Sequence, residues 1–309
     1  TVGFSVTALD ASYLTASLDR YYGTYGDPET NTAAVTVTYG GETLTLGEDY
    51  TLSCEGADID GSTLTFTEVG SHTVTVTGAG SYTGTVTLTY TLLPASDPGG
   101  LTLTADGSAS PVVAVYGDDI NGTISVADPS GSGLPLDPGL YDLTYTYQDA
   151  LGGAAQDKGA YDPDAVFNGA APAPAGLYVV TAKLKDPVAG GAVGSGTFVF
   201  LIQKRSLEGA NITLGIPAGG LVYNGAEQQP GVTSIAWDTL GGLNITADDY
   251  DITWQNNENA GQGYAVVSAA TGSNNFTGTA AAPFSIAPLE ISAANGFTVD
   301  PISEQFITS

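Results

Sequence analysis

The sequence predicts an all-β fold: tandem β-sandwich modules arranged as an elongated rod. Three observations predict it. The first is a cadence that recurs three times along the 309 residues: a Tyr-Gly or Tyr-Asn-Gly turn, a second tyrosine, a glycine-anchored strand, and a last strand ending in an aromatic. The second is the alternation of apolar residues with threonine, the mark of strands with one wet face. The third is that no dozen-residue stretch has helical period with caps; Asp10 to Tyr21, with Leu9, Leu14 and Leu18, is the one weak candidate helix.

The cadence opens at Tyr25-Gly26-Asp27, Tyr116-Gly117-Asp118 and Tyr223-Asn224-Gly225, and its second tyrosines are Tyr50, Tyr141 and Tyr250. The separations are 25, 25 and 27 residues. Repetition at a period of about 100 residues means copies of one fold rather than one large domain. Module one spans 1–94. Its strands Thr73-Val74-Thr75-Val76-Thr77 and Thr85-Val86-Thr87-Leu88-Thr89-Tyr90 flank a glycine-rich turn and read as a hairpin. A Pro/Gly linker, 95–100, opens module two, which spans 95–205, and module three spans 206–289. Residues 290–309 read either as the start of a truncated fourth module or as the final strand of module three.

The modules differ most in one loop. From the second tyrosine to the glycine of the next strand there are 20 residues in module one, 35 in module two and 11 in module three. Length variation at one point of a constant frame marks a surface loop. The insertion 148–174, which carries Tyr161 and Phe167, is therefore the expected place for partner specificity.

Composition limits the function classes. Hydrophobic residues make up 42% of the chain, enough for real cores, so it is not a disordered acidic tail. The 33 acidic residues against 6 basic ones leave a net charge of −27, which disfavours nucleic acid and anionic membrane as partners. No apolar run approaches the roughly 18 residues of a membrane span, so direct insertion is not expected. With one cysteine and one histidine, an intrachain disulfide and a Cys/His metal cluster are both excluded. Cys54 is expected to fill a strand position, and His72, at the position matched by Tyr178 and Tyr264, to be a packing substitute. The chain starts at Thr1 without a signal peptide and reads as a monomeric fragment of something longer.

Module three carries Tyr223-Asn224-Gly225-Ala226-Glu227-Gln228-Gln229-Pro230, then Asp248-Asp249-Tyr250-Asp251-Ile252-Thr253-Trp254. Asn257-Glu258-Asn259-Ala260-Gly261 and Asn275-Phe276-Thr277-Gly278-Thr279 follow. This resembles the Ig-like repeats of bacterial cell-surface proteins. Module one repeats the theme in Gly47-Glu48-Asp49-Tyr50 and Ser81-Tyr82-Thr83-Gly84-Thr85, and its Tyr-Gly-Asp opening, shared with module two, is similar to the MBG domains of adhesin-like proteins. Module two departs most from the pattern. The resemblance implies an extracellular array on a bacterial surface or cell wall, the non-catalytic stalk or binding region of an adhesin. Its expected partners are host or environmental surface glycans or proteins.

Candidate chemistry is sparse. Asp118, Asp119, Asp248 and Asp249 could supply oxygen ligands to Ca²⁺ at module junctions, although none matches the twelve-residue calcium loop and Asp also serves turns. Apart from calcium no cofactor is expected. An intramolecular Lys–Asn isopeptide bond is open only to module two, which holds all four lysines, Lys158, Lys183, Lys185 and Lys204. No module has a distinctive pair of acids for glycoside hydrolysis, which argues against an enzyme. Tyr161, Phe167, Trp237 and Trp254 are the candidate sugar-stacking residues of an alternative function, a carbohydrate- or glycoprotein-binding module set using the module two insertion.

Overall fold

The last long strands of the first repeat show how threonine alternation becomes structure. In the computed structural model, Thr85–Leu93 pairs antiparallel with Gly70–Gly78, in register Thr85 with Thr77, Thr87 with Thr75 and Thr89 with Thr73. Val74 and Val76, on the opposite face, have no exposed surface. The structure describes residues 8–11, 14–95, 100–127, 134–185, 194–238, 240, 243 and 245–290. They divide into two compact units: Thr1–Glu208 with Thr239–Asp251 and Ser268–Thr279, and Gly209–Asp238 with Ile252–Val267 and Ala280–Ser309. The alternatives weighed for 290–309 lie, from 291 on, outside the described residues. Most of the 95–100 linker does too.

The first unit opens with a sandwich of two sheets. One runs Tyr22–Thr24, Thr85–Leu93, Gly70–Gly78, Tyr50–Cys54; the other runs Thr15–Leu18, Thr32–Tyr39, Thr63–Phe66, Ala57–Asp60. Between them lies a core that includes Val35, Val37, Leu64, Phe66, Val74, Val76 and Tyr90. Each such buried large side chain contributes about 1.5–3 kcal/mol. The Phe66 and Tyr90 rings stack with centroids 3.8 Å apart, and burial pushes the Tyr90 phenol up to about 12.

The weak helix candidate is a strand. Thr15–Leu18 pairs antiparallel with Thr32–Tyr39. Leu14 and Leu18, four residues apart, satisfy a period of two as well as a helical turn, and the neighbouring strand decides between them. Among the described residues the one α-helix is Pro163–Phe167.

A second sandwich follows in the same unit. Its small sheet is Ser108–Ala109, Thr102–Ala105, Ile124–Ala127, and its large one is Val112–Val115, Ser195–Gln203, Gly176–Leu184, Tyr141–Asp149, Gln156–Ala160. The second unit, taken by itself, carries the pair Asn211–Leu214 and Val232–Ala236. Its core gathers Ala265, Phe284 and Ile286 with Leu214, Leu221, Ile252 and Trp254. The chain is thus all-β, with its sheets forming tandem sandwich modules.

The sequence cadence has a structural cause. In each copy a short strand runs parallel to the end of the last long strand: Tyr22–Thr24 beside Thr91 to Leu93, Val112–Val115 beside Phe200 to Gln203, and Leu221–Val222 beside Ile286 and Ala287. The tyrosine that follows extends the ladder by one bond. The Tyr25 amide donates to Leu93 O at 2.8 Å, Tyr116 to Gln203 O at 2.9 Å and Tyr223 to Ala287 O at 2.9 Å. Tyr50, Tyr141 and Tyr250 each begin a strand. The carbonyl just before each accepts an amide from a later loop, Ala79 to Asp49, Lys185 to Leu140 and Ala270 to Asp249. Gly26, Gly117 and Gly225 have φ of 81°, 91° and 77°, a left-handed backbone that glycine adopts at least cost.

Candidate functional site: the turn Gln148–Gly152 and the cavity beside it

The insertion was expected to be a surface loop carrying an aromatic contact, and the structure assigns its parts otherwise. Gln156–Ala160 adds a fifth strand to the large sheet, pairing with Tyr141–Asp149 through a register shift at Tyr145 and Thr146. The helix Pro163–Phe167 is capped by the Asp162 carboxylate, which accepts from the Asp164 amide at 3.0 Å. Tyr161 and Phe167, proposed as ligand-stacking residues, are 8% and 9% exposed. The Tyr161 hydroxyl donates to Gly122 O at 2.6 Å, and the Phe167 ring lies 4.7 Å from Phe200 and 5.5 Å from Tyr178. A side chain at Gly122 would collide with the Phe167 ring and the Tyr161 hydroxyl. These aromatics close the second core, because a ring on a polar insertion gains more by covering that core than by facing water.

Trp237 and Trp254 also turn inward, within the second unit. Trp237 is 9% exposed. Trp254 packs on the Ala265, Phe284 and Ile286 cluster, and its indole N–H points to Pro230 O at 3.4 Å. Of the four candidate aromatics, Tyr161, Phe167 and Trp237 are buried and Trp254 is half-buried.

The first residues of the insertion have a different role. The turn from Gln148 to Gly152 is held on one side by the first sandwich. The Ser71 amide donates to Gln148 Oε1 at 2.9 Å, the Thr89 hydroxyl to Ala150 O at 3.3 Å and the Thr73 hydroxyl to Leu151 O at 3.1 Å. Gly152 has φ of 87°, and a Cβ there would stand 2.7 Å from Ser71 O, so two constraints require glycine. Asp149 shapes the turn from within by accepting from the Leu151 and Gly153 amides at 3.1 and 2.9 Å. Leu93, Leu177, Val199 and Leu201 form the apolar part of this joint.

On its other side the same turn meets the loop at Ser273 to Asn275, which belongs to the same compact unit. Asn274 Oδ1 accepts from the Ala150 amide at 2.8 Å, and its Nδ2 donates to Ala175 O at 2.8 Å and to the Tyr147 hydroxyl at 3.2 Å. Asn275 Oδ1 accepts from the Ala175 amide at 3.0 Å. Beside them Lys204 Nζ donates to Ser273 O at 3.0 Å. Burial lowers the Lys204 amine from its ordinary value of 10.5, with Asp149 opposing the shift. Arg205 donates to Tyr116 O and forms a 2.6 Å ion pair with Asp118.

A cavity of about 340 Å³ opens here. Ala16, Leu88, Ala150, Leu201, Ile202 and Lys204 are among its lining residues. A second, more polar groove of about 720 Å³ runs past Glu55, Glu68, His72 and Gln148.

Of the calcium candidates, Asp118 is engaged by Arg205 and by the Val115 amide. Asp249 Oδ2 accepts from the Thr246 amide and hydroxyl at 2.9 and 2.8 Å, while Asp119 and Asp248 are exposed. Among the described residues no three His, Cys, Asp or Glu side chains gather to hold a metal ion. His72, 8% exposed, packs on Phe66 with its ring nitrogens 3.1 and 2.6 Å from Glu55 O and Glu68 O. Burial pushes the Cys54 thiol up to about 11, a direction that leaves little thiolate at neutral pH. Lys185 pairs with Asp142 at 3.4 Å, and Lys158 donates to Gln156 Oε1 at 2.8 Å.

Sequence reasoning missed Gln148, Asn274 and Lys204 as joint residues. The sequence carries no signal for them, since their partners are 77, 124 and 69 residues away.

No protein family matches the sequence, and no curated protein matches it. Solved structures similar to it include a protocadherin gamma B7 EC3-6 cis-dimer, at 10% identity over 90% of this chain and 77% of that one with a TM-score of 0.23. Invasin, a bacterial integrin-binding protein, matches at 12% identity over 92% of this chain and 61% of its own, with a TM-score of 0.23. The extracellular cadherin domains 3-6 of protocadherin gamma B2 match at 11% over 90% and 76%, with a TM-score of 0.21. These identities and TM-scores carry no argument about what this chain does or binds.

Proposed function

We propose that this chain is a non-catalytic structural and adhesive repeat region of a secreted bacterial surface protein, a stalk that holds a binding surface away from the cell. The observation that supports this most is the repeated parallel pairing. In each copy the strand before the tyrosine turn lies parallel to the strand by which the chain leaves the sandwich. Inter-strand hydrogen bonds run across the strands, so tension along the chain loads such a parallel pair in shear, all its bonds at once. Antiparallel neighbours pulled from one end would open bond by bond. A module built this way suits a tether.

The titratable groups are consistent with the same reading. The phenols raised by burial, among them Tyr50, Tyr90, Tyr141, Tyr161 and Tyr178, are packing residues, and among the described residues no acid and base with opposed shifts face each other in a cleft. For the glycan-binding alternative, Tyr161, Phe167 and Trp237 are buried and Trp254 is half-buried.

Small-angle scattering tests the stalk. A compact globule of this length would have a radius of gyration of about 19 Å, and the stalk reading requires a value well above it. A compact value would end the reading.

A further inference from the structure

The cavity beside the turn encloses a nucleophile that the stalk does not use. Lys204 lies at the end of the second repeat and follows Gln203, whose carbonyl closes the second parallel ladder. Its aliphatic stem therefore follows a core strand inward. The amine reaches Ser273 O at 3.0 Å, which uses one of its protons. The cavity it lines has about 340 Å³ of space, at the small end of ligand pockets. Leu88, Leu201 and Ile202 supply apolar wall. The charged or titratable groups facing this space are Glu208 and Tyr21 on the lining and Asp149 within electrostatic reach.

We propose that this cavity is a covalent modification site, in which Lys204 Nζ forms an imine with small, uncharged aldehydes. The apolar part of the wall, Leu88, Leu201 and Ile202, displaces water from one side of the site and so disfavours the ammonium relative to the amine, the same physics that activates desolvated lysines elsewhere. The amine nitrogen adds to the carbonyl carbon, the carbonyl oxygen takes up a proton to give a carbinolamine, and loss of water leaves the C=N bond. No oxidant or second reactant is required. The walls favour short aliphatic or single-ring aldehydes, and the surrounding acids disfavour anionic ones. The lowered amine pKa supports the assignment without carrying it, since the cavity supplies the selectivity for size.

The full chain is incubated at neutral pH with benzaldehyde and sodium cyanoborohydride, which delivers hydride to the imine carbon and fixes the adduct. Peptide mass mapping then compares the four lysines. Lys204 is expected to be benzylated several-fold faster than Lys158, Lys183 and Lys185, to lose that advantage in concentrated urea, and to show no such advantage with glyoxylate, an anionic aldehyde. Labelling of Lys204 at or below the rate of the other three in the folded chain would overturn the proposal. So would an advantage that persists in urea, because it would come from local sequence rather than from the cavity. The readout needs no variant, and it is independent of the stalk reading, which scattering tests separately.

Discussion

Replacing Asn274 with alanine tests the joint at the turn Gln148–Gly152. The side chain accepts from the Ala150 amide at 2.8 Å and donates to Ala175 O at 2.8 Å and the Tyr147 hydroxyl at 3.2 Å. Ala175 O keeps a second donor after the change, the Tyr147 hydroxyl at 2.9 Å, so its loss is small. The Ala150 amide belongs to a residue 4% exposed and loses its partner. A buried donor left unsatisfied costs about 1–3 kcal/mol, and the bonds lost around it add about 1 kcal/mol. The expected destabilisation is therefore about 2–4 kcal/mol, a fall in melting temperature of roughly 5–12 °C for a domain of this size. Urea and thermal unfolding followed by tyrosine fluorescence measure it. Gln148→Ala removes the acceptor for Ser71 on the opposite side of the turn. Because the two changes act on one short turn, a double-mutant cycle should show coupling of about 0.5 kcal/mol or more. An Asn274→Ala loss below about 0.5 kcal/mol, the range of ordinary surface changes, would refute the reasoning, and strict additivity would refute the shared turn.

Three further outcomes are expected. Tyr161→Phe strands the buried Gly122 carbonyl contact made at 2.6 Å and should cost about 1 kcal/mol in chemical denaturation; no loss would mean that the hydroxyl is solvated rather than core-bonded. The Lys204 amine is lowered by burial from 10.5, so between its folded value and 10.5 the unfolded chain binds more protons, and stability rises with pH through that window. Lys204→Met should flatten that rise relative to the parent chain, and identical pH profiles would contradict the burial. Adding millimolar Ca²⁺ should leave the melting temperature unchanged, because the Asp118 and Asp249 carboxylates are already engaged. A site of micromolar affinity would instead add about 4 kcal/mol at a thousandfold excess of ligand.

The frame was legible in the sequence because its requirements are local. Tyr-Gly turns need a left-handed glycine, and alternating Thr and Val need one wet and one dry face, as Thr73 to Thr77 show. Two features were not legible. Gln156–Ala160 is exposed at every residue and has no apolar alternation; it is a strand only because Tyr141–Asp149 offers it an edge. The aromatic rings at 161 and 167 were expected on a surface because the length of the loop that carries them varies between the repeats. Burial is decided by the nearest uncovered core, here Tyr178 and Phe200, which sequence spacing does not reveal. The joint residues illustrate the same limit, since the partners of Asn274 come from a different repeat.

Single-molecule stretching of the full chain from its two ends tests the central claim most directly, that one shear-loaded hydrogen-bond frame is built three times. The account predicts three unfolding events, each lengthening the chain by about 30–40 nm, as modules of roughly 85–110 residues released at up to 3.6 Å each require. A single event of about 100 nm, or two events of clearly unequal length, would contradict it.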